Sequence, residues 1–210
     1  MVTDKLRHKR LRLLLKDLNR QRKKQTKQID ILCNDFLTAQ KDFIRKLNVI
    51  HFAADFYESI LGMTDLGRIL STTVATIKEE VDDSNVTFFL RQDDNFELHI
   101  FEASKSKNFD VQNLENSFSP ELMDNICQAN KICTLEDMLA MGLQVNPTGL
   151  STLSAITFPL GTLATSLGFI LIYRTSEKKL TSNNLWNLCA VRSGLSRSIA
   201  SCQQPTHPLE

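Results

Sequence analysis

The chain has 210 residues, 42% hydrophobic and 23% charged, an ordinary composition for a folded protein with room for one sizeable domain plus an extension. Five scattered cysteines (Cys33, Cys127, Cys133, Cys189, Cys202) form no C-x-x-C pair, which argues against a disulfide framework or zinc knuckle and for a reducing, cytoplasmic compartment. A formal net charge of +1 hides an asymmetry: residues 1–28 carry eleven Lys or Arg against Asp4 and Asp17, a charge of +9, which leaves −8 on the remainder.

From Lys5 to Leu61 there is neither proline nor glycine. Apolar residues recur at steps of three and four: Leu11, Leu15, Leu18, Ile29, Leu32, Phe36, Ala39 and Phe43. Arg22 and Gln25 hold the same register between them, and after Phe43 the phase slips to Leu47, Ile50, Ala54 and Tyr57. This pattern predicts one long helix with a coiled-coil seam over residues 1–58. A helix of about 50 residues is about 75 Å long. A small core cannot bury that length, so a second copy of the chain is the simplest partner, with Leu11, Leu15, Leu18, Ile29, Leu32, Phe36, Phe43 and Ile50 at the seam.

Gly62 and Thr64–Asp65 interrupt the chain, and Asp65 is placed to cap a second helix through Leu66, Ile69, Leu70, Thr73, Val74, Ile77 and Val81. "VTFFLR" (86–91) and "FELHIF" (96–101), joined by "QDDN", read as a β-hairpin. Ser119-Pro120 signals a short helix to about Asn130. "KICTL" is a brief strand, "LEDMLAMGL" one or two helical turns, and "QVNPTGLST" a loop. "ITFPLGTLATSLGFILIYR" (156–174) is a second hairpin, with Pro159 near the end of its first strand and Gly168 opening its second. A closing helix carries Leu185, Leu188, Leu195 and Ile199. The order predicts an α+β fold: an antiparallel sheet of five or six strands with the terminal helices on one face and the irregular 102–152 segment on the other.

Taken together, "SNVTFFLRQDDNFELHIF", "NKICTLEDM", "SAITFPLGTLATSLGFILIYR" and "KKLTSNNLWNLCAVRSGLSRSIA" resemble a GAF domain over about Ser59–Cys202. The match lies in Pro159, Leu160, Gly168 and the Phe169–Tyr173 run, and in Leu180-Thr181-Ser182-Asn183 before the last helix. The resemblance implies a GAF-like domain over 59–204, a tail over 205–210, and a role as a small-molecule sensing module in signalling. Some relatives bind cyclic nucleotides through Asn-Lys, a Phe, then Asp-Glu. Asn130-Lys131 is present here, but no such Phe and Asp-Glu follow. Others attach a bilin by cysteine or hold haem by histidine; for Cys127, Cys133 and His99 the favoured reading is a buried thiol or a core histidine.

No Ser-His-Asp or Cys-His grouping, glycine-rich phosphate loop or metal-ligand cluster can be assembled from the local sequence, so no enzyme, cofactor or metal is expected. Strand alternation offers a pocket instead. Val86, Phe88 and Leu90 are expected under the terminal helices, together with Phe96, Leu98 and Ile100. Phe89, His99 and Phe101 are expected to face residues 102–152, where Phe109, Phe118, Met123, Ile126, Cys127, Met138 and Met141 would roof a small-molecule site. A filled second core is the competing reading.

The basic segment 5–27 mixes leucines with cations. Its favoured reading is a charged coiled-coil surface or a contact with an acidic partner; an anionic membrane or nucleic acid are the alternatives. The resulting expectation is a non-enzymatic cytoplasmic homodimer that senses a small molecule or partner and couples it to an upstream or downstream signalling protein. A coiled-coil scaffold with a ligand-free GAF-like domain is the runner-up.

Overall fold

A computed structural model describes residues 2–93, 95–102, 114–144, 153–162, 164–175, 180 and 185–203. The chain divides into two compact units, residues 1–48 and 49–210. Helix α1 (Val2–Ile60) runs through both. No helix of the described residues is long and apolar enough to cross a membrane.

In the first unit, α1 exposes the predicted seam: Leu11, Leu15, Leu18, Ile29, Leu32, Phe36 and Phe43 are all open to solvent, Phe36 at 69%. In the second unit its last turns are core. Phe56 and Ile60 are buried and Phe52, Ala53 and Tyr57 pack beside them. The expected division after residue 58 therefore falls earlier, between Asn48 and Val49, because the last turns of the helix belong to the domain. The tail 205–210 lies outside the described residues.

Helix α2 (Leu66–Glu80) starts where Asp65 accepts a 3.0 Å hydrogen bond from the Gly67 amide, the expected cap. Its buried residues Ile69, Leu70, Thr73, Val74 and Ile77 share one face. Strands β1 (Asn85–Gln92) and β2 (Asn95–Phe101) form the first hairpin. A 3₁₀ turn (Leu114–Ser117), α3 (Pro120–Ala129), β3 (Cys133–Thr134) and α4 (Leu135–Ala140) follow. Ser119 caps α3, and Thr134 with Asp137 forms a capping box on α4. Then come β4 (Leu153–Gly161), β5 (Ser166–Thr175) and α5 (Trp186–Gln203).

The five strands form one antiparallel sheet in the order β2-β1-β5-β4-β3. Both faces are covered. The end of α1 with α2 and α5 packs on Val86, Phe88, Leu90, Ile156, Phe158, Leu160, Ile170 and Ile172, the first core. The 3₁₀ turn, α3 and α4 pack on Phe89, Leu153, Ala155, Phe169, Leu171 and Tyr173, the second core. A strand covered on both sides reads as a continuous apolar run, which is why β4 and β5 do.

Backbone chemistry fixes the central hairpin. Pro159 pairs with Phe169, and β3 reaches only Ile156 and Thr157, so the proline sits beyond the ladder on that edge. Gly168 has φ +119°, and a Cβ there would lie 1.8 Å from the Phe89 carbonyl oxygen. At Gly161 the register shifts by one residue, and α5 holds that corner. Ser196 Oγ accepts from the Gly161 amide at 2.8 Å, and the Arg192 guanidinium donates to the Gly161 carbonyl at 2.9 Å.

Gly168→Ala therefore meets both left-handed strain and a backbone clash. The expected loss is at least about 2 kcal/mol, a fall in melting temperature of roughly 4–8 °C by calorimetry.

Candidate functional site

Hairpin register decides which face each residue occupies. The β1–β2 turn pairs Gln92 with Asn95, and thereafter Phe89 with Leu98, Phe88 with His99 and Val86 with Phe101. Directly opposed residues point to the same side. His99 and Phe101 therefore lie on the first-core face, where Phe101 meets Phe88 edge-to-face at 6.0 Å. The expectation that they share a pocket with Phe89 is corrected. The converse placement of Phe96, Leu98 and Ile100 under the terminal helices is corrected too: all three share the face of Phe89. On edge strand β2 the more uniformly apolar set is the more exposed one, Leu98 at 40% and Ile100 at 47%. His99 Nε2 instead lies 3.3 Å from Glu97 Oε1 on its own strand.

Most of the remaining candidates do converge. Phe89, Phe118, Ile126, Cys127 and Met138 are buried in the second core, with Met123 and Met141 at its margin. Phe109 lies outside the described residues. The rings of Phe89 and Phe169 stack at 4.6 Å, and Phe118 closes on both at 5.1 and 6.0 Å. Such offset aromatic packing stabilises by about 0.5–1.5 kcal/mol per pair beyond burial. Toward the β1–β2 turn, the Arg91 guanidinium lies over Phe96 and pairs with Asp124 of α3. Burial pushes the Cys127 and Cys133 thiols up from their ordinary value, which disfavours the nucleophilic thiolate at both. Asn130 is the left-handed C-cap of α3, and its side-chain oxygen accepts from Arg192 of α5, so its carboxamide is engaged in the fold.

The polar chemistry sits at the opposite end of this apolar layer. Glu115, from the 3₁₀ turn, is only 4% exposed. Tyr173 of β5 donates its hydroxyl to Glu115 Oε2 at 2.9 Å. That is one of the roughly four hydrogen bonds a carboxylate can accept. Burial, then the charge of Glu115, pushes the Tyr173 phenol well above its ordinary value of 10.0, with the Glu102 carboxylate adding in the same direction. Thr87 on β1 is fully buried, and its hydroxyl has no hydrogen-bond partner among the described residues. Thr87 pairs with Leu171 and Asn85 with Tyr173, so Thr87 and Tyr173 are diagonal neighbours on one face, about 7–8 Å apart. The buried Tyr173–Glu115 pair and the unpartnered Thr87 hydroxyl thus share one face of the sheet, in an otherwise apolar layer. Such a set can accept hydrogen bonds from, and offset the charge of, a small donor-rich or cationic group.

Strand alternation in "FILIY" carries a usable signal for Tyr173, because it puts Phe169, Leu171 and Tyr173 together. Nothing local marks Glu115, which meets Tyr173 from 58 residues away.

No protein-family model matches the chain, and no curated protein matches it in sequence. Solved structures match it in fold. The GAF domain of an Acinetobacter phosphoenolpyruvate-protein phosphotransferase superposes with a TM-score of 0.51 at 13% identity, over 72% of this chain and 92% of that one. A GAF domain/HD domain protein from Geobacter sulfurreducens gives 0.52 at 12% identity, over 70% and 99%. The GAF domain of a Coxiella burnetii phosphoenolpyruvate-protein phosphotransferase gives 0.51 at 12%, over 73% and 94%. The chain has the GAF fold, with a long N-terminal helix before it.

The raised Tyr173 phenol has a pH consequence. Its contribution to stability is fully present below pH 10.0, the ordinary tyrosine value, and is lost as pH rises above it, because the unfolded chain releases a proton that the native domain retains. Denaturant unfolding from pH 8 to about 11 should show this decline, and Tyr173→Phe should remove the tyrosine share of it while costing about 1.5–3 kcal/mol at neutral pH through the lost bond to Glu115.

Proposed function

We propose that the chain is a non-enzymatic cytoplasmic regulatory module, whose GAF-fold domain senses a small molecule at the Glu115–Tyr173–Thr87 niche. The observation that carries this reading is Thr87. A buried hydroxyl without a partner costs about 1–3 kcal/mol, and Thr87 carries one at the centre of the sheet. On the same face, the buried Glu115 carboxylate accepts from Tyr173 and can accept further bonds. A ligand bearing an amine or hydroxyl donors answers both. Glu115 comes from the 3₁₀ turn, so a ligand that engages it would displace that short element rather than the sheet.

Coupling follows from chain continuity. The second core shares its strands with the first, and residues 52–60 of α1 belong to the first core. The same helix carries the exposed apolar stripe, which pairs with that of a second copy. A change in how the sheet packs on α1 would alter the stripe's presentation to that copy and to a signalling partner. The scaffold reading draws on the tight filling of the second core, where Phe89, Ile126, Cys133 and Met138 are almost fully buried.

A melting-temperature screen of the full chain against small amines, amino acids and polyols separates the two. A ligand at about a hundredfold over its Kd stabilises by about 2.7 kcal/mol, a rise of roughly 5–10 °C. Thr87→Val should raise the ligand-free melting temperature by roughly 2–5 °C and weaken that response, since the unsatisfied hydroxyl is gone. No response from any ligand class, with Thr87→Val merely more stable, leaves the scaffold. Sedimentation at twice the chain mass checks the pairing.

A further inference from the structure

Residues 19–28 of α1, "NRQRKKQTKQ", contain no apolar residue and no carboxylate. The nearest apolar side chains are Leu18 and Ile29, and the nearest acids Asp17 and Asp30. The helix is continuous through this segment, and all of its side chains are exposed. Steps of three and four bring Lys16, Asn19, Arg20, Lys23, Lys24 and Lys27 onto one continuous face. The apolar stripe of Leu11, Leu18, Ile29 and Leu32 lies on the opposite side of the helix. Lys23 and Lys24 have no acid within three or four residues, so no neighbouring side chain of the helix offsets their charge.

We propose that this face binds the phosphate backbone of double-stranded nucleic acid, without reading base sequence. Five cations spread over eleven helical steps give one positive charge per about 3.3 Å of axis. Duplex DNA carries one negative charge per about 1.7 Å of its axis over both strands, a density that a closely spaced run of cations can engage. Asn19, on the same face, adds a neutral amide donor of the kind that contacts phosphate and sugar. A membrane fits less well. An interfacial helix needs a continuous apolar face to insert, and residues 19–28 contribute no apolar side chain to one. Because the face points away from the stripe, pairing of two chains leaves it open and duplicates it. The inference stands independently of the sensing niche, which lies in the other unit.

The test is fluorescence anisotropy of an arbitrary duplex of about 20 base pairs with the full chain, from about 50 to about 200 mM KCl. Five phosphate contacts predict a slope of log K against log salt of about −4.5, a loss of affinity on the order of 10²- to 10³-fold over that range, and about twice the slope if both helices of a dimer engage. The quadruple substitution Arg20→Gln, Lys23→Gln, Lys24→Gln and Lys27→Gln preserves helix propensity. It should weaken binding at least tenfold and flatten the slope toward about −1 per chain, with unchanged circular dichroism. Lys41→Gln with Lys46→Gln should leave binding as it was. Absence of duplex binding, or binding with a slope the quadruple variant does not change, overturns the proposal. So does stronger binding to vesicles containing phosphatidylserine, or to polyglutamate, than to the duplex.

Discussion

Everything in the domain depends on a sheet that is buried on both faces. Once β1, β4 and β5 are covered twice, each residue has to suit one specific layer, and register decides which. Gly168 shows how little freedom remains. It stands between Leu90 and Leu160, and a single methyl there would enter the backbone of Phe89. The same sheet sends Phe88 and Ile170 toward α5 and Phe89 and Phe169 toward α3, so a change on one face is felt on the other through shared strands.

The two layers are unequal. The first contains α5 and the last turns of α1, long elements tied to the central hairpin by Ser196 and Arg192. The second contains elements of four, ten and six residues. Short elements hold fewer contacts and open at lower cost. Glu115 and Thr87 face this second layer, while Thr73 and Ser196 are buried in the first. The unpartnered Thr87 hydroxyl thus lies under the layer built from the shorter elements.

Much of this was legible in local chemistry. Asp65 and Ser119-Pro120 mark helix starts that the structure reproduces, because capping is decided within three residues. The strands of both hairpins were readable for the same reason. The face of β2 was not. Ranking its alternate sets by apolarity fails on an edge strand, where exposed Leu98 and Ile100 outscore half-buried His99 and Phe101. Only the turn pairing of Gln92 with Asn95 decides it. The Glu115–Tyr173 contact was equally hidden, since two residues far apart in the chain meet only after the sheet forms. The phase slip after Phe43 did foreshadow the change in role of α1, from open stripe to buried Phe56 and Ile60.

The division into a firm layer and a responsive one is tested most directly by native-state hydrogen exchange across a denaturant series. Amides of Phe88–Leu90 and Phe169–Ile172, with those of Phe56–Ile60, should exchange only through global unfolding. Amides of the Leu114–Ser117 turn and of α4 should exchange through a separate opening of lower free energy. Equal opening free energies for both layers, or a first layer that opens before the second, would contradict that division.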